Sequence, residues 1–160
     1  MVLLVSHQSK VKEIIIARDF DETIGPVWMD SEKMKQVILN LLSNALEFTP
    51  RGGRVEIKTR KQVGEDDSEV YRIEVRDNGV GIPPSDLNRV FEPYFTTKHK
   101  SSMHSGTGLG LFIAYQHMQD HGGTIEVKSS PNQGATFILA LPQAEADRTS
   151  RPASQKAHAG

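Results

Sequence analysis

The chain has 160 residues, 37% of them hydrophobic, with 19 basic and 20 acidic side chains and a formal net charge of -1. That length and apolar content predict one domain with a real core, and the balanced charge argues against a nucleic-acid partner. The absence of cysteine excludes disulfides and thiolate metal sites, and no apolar run approaches the roughly 20 residues that span a bilayer.

Val2-Leu3-Leu4-Val5 is too short for a signal-peptide core and follows no positive segment. A soluble cytoplasmic domain without membrane contact is expected, with the anchorage of any larger parent left open. Residues 1–12 read as the remnant of a preceding helix or linker, 13–142 as the domain, and 143–160 as a disordered tail poor in apolar bulk.

In chain order, Ile14-Ile15-Ile16-Ala17 predicts a strand, and Val27-Trp28-Met29 a second one after the Gly25-Pro26 turn. Ser31 reads as an N-cap. Met34, Val37, Ile38, Leu41, Leu42, Ala45 and Phe48 recur at helical spacing and predict a helix over 31–48, which Thr49-Pro50-Arg51-Gly52-Gly53 ends. Val55, Ile57 and Thr59, then Val70, Ile73 and Val75, predict a hairpin around a polar loop. Ser85 to Phe91 reads as a short helix, and Leu111 to Met118 as a longer one that stops at Gly122-Gly123. Thr124–Lys128 and Ala135–Leu141 predict two last strands joined by a turn at 131–134. The layout is α+β: a two-layer sandwich, with a mixed, mostly antiparallel sheet and helices on one face.

Several stretches have the residue types that chemistry needs. Asn40 and Asn44 stand one helical turn apart beside the apolar stripe, and mid-helix asparagine forgoes propensity. Their amide oxygens suit Mg²⁺, although a polar side chain turned to water or local capping explains them as well. Asp77, followed by Gly79 and Gly81, offers a carboxylate acceptor for an exocyclic amine, or simply an Asp-Asn-Gly turn. In Phe91-Glu92-Pro93-Tyr94-Phe95-Thr96-Thr97-Lys98, aromatics anchor a loop whose Thr97 and Lys98 end in groups able to reach phosphate. The polar run from His99 to Ser105 reads as a lid. Gly106-Thr107-Gly108-Leu109-Gly110-Leu111 strips side chains from backbone that feeds a helix N-terminus, which suits either an anion site or a close-packed turn. His99, His104, His117 and His121 fit no metal-ligand spacing.

The order of these stretches is more specific than any one of them. Asn40-x-x-x-Asn44, Asp77-x-Gly79-x-Gly81, Phe91-Glu92-Pro93-Tyr94-Phe95, Gly106-x-Gly108-x-Gly110 and Gly134-Ala135-Thr136-Phe137 resemble the successive boxes of the catalytic, ATP-binding domain of sensor histidine kinases. The lid resembles most the nitrogen-regulation subgroup. The resemblance covers residues 11–142 and implies a Bergerat ATP-binding fold of the GHKL superfamily, with ATP and Mg²⁺ as cofactors. It implies that Asp77 takes the adenine amine with water-mediated help from Thr136, in a base pocket shaped by Gly79 and Gly81, with Ile82, Phe91 and Glu47 also among the nucleotide-binding residues. Asn44 would hold Mg²⁺, and Asn40 would assist at metal or phosphate. Gly106, Gly108 and Gly110 would cradle the phosphates and Lys98 would reach the terminal phosphate, with Thr97, Thr107, Leu109 and Leu111 also among the nucleotide-binding residues.

Glu47 stands where many sensor kinases carry a phosphate-contacting lysine, a variant familiar in the subgroup that the lid resembles. It leaves Lys98 and Lys100 with more phosphate charge to balance. By the same resemblance the partners are a histidine phosphoacceptor and dimerisation domain and, downstream, a response-regulator receiver domain. His7 has no acidic-flanked helix around it to serve as acceptor, so this chain is expected to bind ATP without phosphorylating itself. A GHKL-type ATPase is disfavoured, because Asn40 occupies the place of a general base and an amide has no useful basicity. A non-catalytic nucleotide-sensing or docking module and a protein serine kinase of the same fold stand as alternatives.

Overall fold

The computed structural model describes residues 9–64, 68–96 and 107–143. Its elements are β1 (Ile15–Asp19), α1 (Ser31–Phe48), β2 (Arg54–Val63), β3 (Glu69–Asp77), α2 (Pro84–Leu87), α3 (Gly110–Asp120), β4 (Thr124–Ser129) and β5 (Ala135–Pro142). The strands form one sheet in the order β1-β2-β3-β5-β4. β1 runs parallel to β2 and the other ladders are antiparallel, as the sequence predicts.

The sheet is two-faced because side chains alternate along each strand. On β3 and β5 the inward set is Tyr71, Val75, Asp77, Ala135, Phe137, Leu139 and Leu141, all buried. The far face is charged, with Lys58 3.2 Å from Glu56 and Arg72 2.6 Å from Glu74. α1 covers the inward face through Met34, Val37, Leu41 and Ala45, whose spacing of three and four keeps them on one stripe. Leu41 is fully buried. Leu41→Ala is expected to cost about 2–5 kcal/mol of stability, read from urea unfolding midpoints at constant m.

α1 and α3 lie antiparallel. Lys33 pairs with Asp120 at 2.7 Å, the Asp30 N–H donates to His121 Nε2 at 3.1 Å, and Asn40 Nδ2 donates to Gly110 O at 2.9 Å. α3 therefore lies along the N-terminal half of α1, from Lys33 to Asn40, and the C-terminal half of α1 runs on beyond it.

Three local expectations change. The N-cap of α1 is Asp30, whose Oδ1 accepts from the N–H groups of Glu32 and Lys33 at 3.0 and 3.1 Å, and Ser31 is the first helical residue. Val27 to Met29 form no strand: the segment pairs with none of the five strands, and Val27 and Met29 instead pack their side chains on the core from an irregular segment while Trp28 stays 78% exposed. The helix expected over 85–91 stops at Leu87. Beyond it, tight turns close with Arg89 N–H to Asp86 O and Glu92 N–H to Arg89 O, which lets Val90 and Phe91 reach the core.

Candidate functional site: a cleft between α1 and the β3–α2 loop

Where α1 runs on beyond the start of α3, a cleft of about 480 Å³ opens, within the usual size of a small-molecule site. Asn40, Asn44 and Glu47, at i, i+4 and i+7 on α1, line one wall. Asp77, Gly81 and Ile82 form the far end, and Thr107, Gly108, Gly110 and Leu111 close the side toward α3. Ten of the residues singled out from the sequence meet here, drawn from segments up to 71 positions apart (Asn40 to Leu111).

Asp77 is a carboxylate 5% exposed, delivered to the inner face by the alternation of β3. Its Oδ1 accepts from the Gly79 N–H at 2.8 Å and the Ala135 N–H at 3.3 Å. Burial pushes its pKa above the ordinary aspartate value, and those two backbone donors oppose the rise. Because both bonds fall on Oδ1, Oδ2 is the oxygen left to accept from a ligand.

The loop holding this end is braced from β4 and β5. Ser129 Oγ accepts from the Ile82 N–H at 2.8 Å and donates to Gly134 O at 2.6 Å, and the Asn132 N–H donates to Val80 O at 2.7 Å. The base of the cleft is apolar, with Val80, Val90, Ala135 and Phe137 in its lining. The opposite end is polar, with Asn40, Ser43, Asn44, Thr96 and Thr107. Among the described residues the lining holds three carboxylates, Glu47, Asp77 and Asp86, and no lysine or arginine.

Four sequence-derived candidates sit outside the lining. Gly79 lies behind Asp77 as its hydrogen-bond donor. Phe91 is a supporting core residue, 5.9 Å from Tyr115 and 6.4 Å from Phe137 between ring centroids. Leu109 caps α3. Thr136 is displaced to the charged face, opposite Arg76 and Lys128, because its neighbours Ala135 and Phe137 take the two inward positions. Thr97, Lys98 and Gly106 lie outside the described residues, as do His7, His99, Lys100 and His104. Sequence reading missed Ala135, Phe137 and Ser129; period-two alternation through β5 was the available signal for the first two. Among the described residues no cluster of three or more His, Cys, Asp or Glu side chains could hold a metal ion, and no helix is long and apolar enough to cross a membrane.

The cleft suits a magnesium nucleotide: a bare carboxylate oxygen and apolar walls at one end, and hard, neutral amide oxygens with hydroxyls at the other. Residues 29–145 match the family described as histidine kinase-, DNA gyrase B- and HSP90-like ATPases. Over 140 residues the chain is 36% identical to sporulation kinase A of Bacillus subtilis (strain 168), covering 88% of this chain and 22% of that protein. Full-length ShkA in complex with AMPPNP superposes with a TM-score of 0.75 at 30% identity, covering 89% of this chain and 28% of that one. The nucleotide-free catalytic domain of histidine kinase ThkA gives 0.72 at 29% identity, covering 88% and 86%. ThkA in complex with response regulator protein TrrA gives 0.68 at 26%, covering 89% and 38%.

This chain belongs to the histidine kinase-, DNA gyrase B- and HSP90-like ATPase family. Its curated relatives are sensor kinases, and it corresponds to their ATP-binding catalytic domain. It spans between 18% and 33% of the length of those relatives.

Proposed function

We propose that this domain binds Mg·ATP across the cleft and transfers the γ-phosphoryl group to a histidine on a phosphoacceptor and dimerisation domain outside this chain. The observation that carries the reading is the pair of ends just described, Asp77 Oδ2 against apolar walls and the Asn40, Asn44 stripe beyond it. Asp77 accepts from the adenine amine. Asn44 would hold Mg²⁺, which when bound supplies charge neutralisation at the phosphates. Asn40, whose Nδ2 is committed to Gly110 O, keeps its Oδ1 for the metal or a phosphate-bound water.

With no basic side chain among the described lining residues, the triphosphate needs Mg²⁺ and Lys98, the cation assigned from sequence. In the reaction the bond from the β–γ bridging oxygen to the γ-phosphorus breaks. A bond from an imidazole nitrogen to that phosphorus forms, and ADP leaves; such chemistry asks the protein mainly for positioning and electrostatics. No carboxylate stands at position 40 to act as a base toward water, which favours transfer over hydrolysis. A response-regulator receiver domain is the onward partner, by analogy with the ThkA–TrrA complex.

The test is calorimetric titration of ATP with and without Mg²⁺, followed by phosphotransfer from radiolabelled ATP to a supplied acceptor domain. Saturable, Mg²⁺-dependent binding with acid-labile labelling of the acceptor histidine is expected. No saturable binding overturns the reading. Binding without transfer would leave a nucleotide-sensing module instead.

A further inference from the structure

The C-terminal end of α1 is capped from outside the helix. No basic residue stands in its last turn, so its terminal carbonyls must find donors elsewhere. Thr49 serves Ala45 O through its own N–H at 3.0 Å and Oγ1 at 2.6 Å. The next carbonyls go to one side chain: Lys12 Nζ donates to Leu46 O at 2.9 Å, Glu47 O at 2.6 Å and Thr49 O at 3.1 Å. All three ammonium donors are thereby used, and the positive charge lies at the negative end of the helix dipole. The remaining carbonyl, Phe48 O, accepts from the Val80 N–H at 3.4 Å.

That last bond places the capped turn against the cleft. Val80 belongs to the loop that follows Asp77 and itself lines the site, as do Glu47 and Phe48. Packing there is close enough that a Cβ on Gly79 would lie 2.4 Å from Phe48 O. On its other side Lys12 is part of the chain entering the domain. The Gly52 N–H donates to Lys12 O at 2.9 Å, the Ile15 N–H to Gly53 O at 2.9 Å, and Arg51 pairs with Glu13 at 2.5 Å.

We propose that Lys12 is a positioning residue for the adenine end of the cleft: its ammonium fixes the last turn of α1, and that turn fixes the Asp77–Gly81 loop through Phe48 and Val80. This rests on the nucleotide reading above and adds to it a route by which the entering chain sets affinity. Pulling residues 9–15 away from α1 withdraws three charge-assisted bonds at once and frees the turn on which the base-binding loop is seated.

The experiment uses the full 160-residue chain as wild type, Lys12→Met, which keeps the stem and removes the donors, and Lys12→Arg, which restores charge and donors. Ile125→Val on β4 supplies a stability control remote from the cleft. Adenosine and ATP affinities are measured together with the ¹⁵N–¹H amide positions of Gly79, Val80 and Gly81. Lys12→Met should weaken both ligands by one common factor, roughly three- to thirtyfold, the range carried by networks of packed neighbours. It should also move the three amides, while Lys12→Arg recovers most of both effects and Ile125→Val changes neither. Wild-type affinity and unmoved amides in a less stable Lys12→Met overturn the proposal and leave Lys12 a structural cap. If Lys12→Met does not fold, Lys12→Gln is read by the same criteria. Wild type that binds neither adenosine nor ATP defeats the nucleotide reading instead, and the amide positions in ligand-free protein still decide whether Lys12 sets the loop.

Discussion

Asp77→Asn is expected to lose about 100-fold in ATP affinity, roughly the worth of a hydrogen bond to a charged group plus an opposed donor, while melting no lower than wild type. The opposite signs follow from the geometry. The Gly79 and Ala135 N–H groups both point at Oδ1, so an asparagine must place its carbonyl oxygen there. Its NH₂ then takes the place of Oδ2 and meets the adenine amine donor to donor. Stability moves the other way because the amide relieves a buried charge. The native pKa of Asp77 is raised by burial, so ionising it in the folded state has a cost. That cost is absent below the ordinary aspartate range, where the carboxyl is neutral folded or unfolded, and appears as pH rises through the raised native value. The thermal advantage of Asp77→Asn should therefore vanish in acid and be largest near neutrality. Isothermal titration and melting curves across pH check both halves, and an asparagine variant that binds ATP as well as wild type would remove the adenine assignment.

Gly134→Ala is expected to cost roughly 2–5 kcal/mol of stability and to weaken nucleotide binding with it. Gly134 has φ +76°, and a Cβ there would lie 2.0 Å from Asp77 O. A left-handed conformation costs a non-glycine residue about 1–2 kcal/mol, and forced overpacking about 1–3 kcal/mol more. The displaced backbone is the start of β5, whose Ala135 N–H holds Asp77 Oδ1, so damage to the fold and to the site go together. Gly52→Ala separates the two costs, because Gly52 has φ +75° with nothing within 4 Å of its added Cβ. It should lose only the conformational part and keep its affinity. Denaturant unfolding of both variants is the measurement, and equal losses would mean that crowding against Asp77 contributes nothing.

The parts of this molecule legible in the sequence are those governed by local period. The stripe Met34, Val37, Leu41, Ala45 fixes which side of α1 is buried, and Asn40 and Asn44 follow on its flank. Alternation from Tyr71 through Val75 places Asp77 inward before any partner strand is known. The same rule, carried through β5, points Ala135 and Phe137 inward and Thr136 outward; the likeness of Gly134-Ala135-Thr136-Phe137 to a family box outweighed it. The Val27 to Met29 segment looked like a strand because β-propensity marks apolar, half-buried backbone. Whether such a segment joins a sheet edge or lies against the core is a tertiary matter, and here Val27 and Met29 pack on the core without pairing.

By itself the sequence determined the α+β layout, the two faces of sheet and helix, and the order of side chains from which a nucleotide site is built, because each depends on spacing within one segment. Only the tertiary structure decided that ten of those residues share one cleft, that Asp77 keeps one oxygen bare, and that Lys12 caps a helix whose carbonyls lie 34 to 37 positions away. Hydrogen bonds and burial across such separations arise when distant segments pack, and no local pattern of residue types specifies which distant donor meets which acceptor.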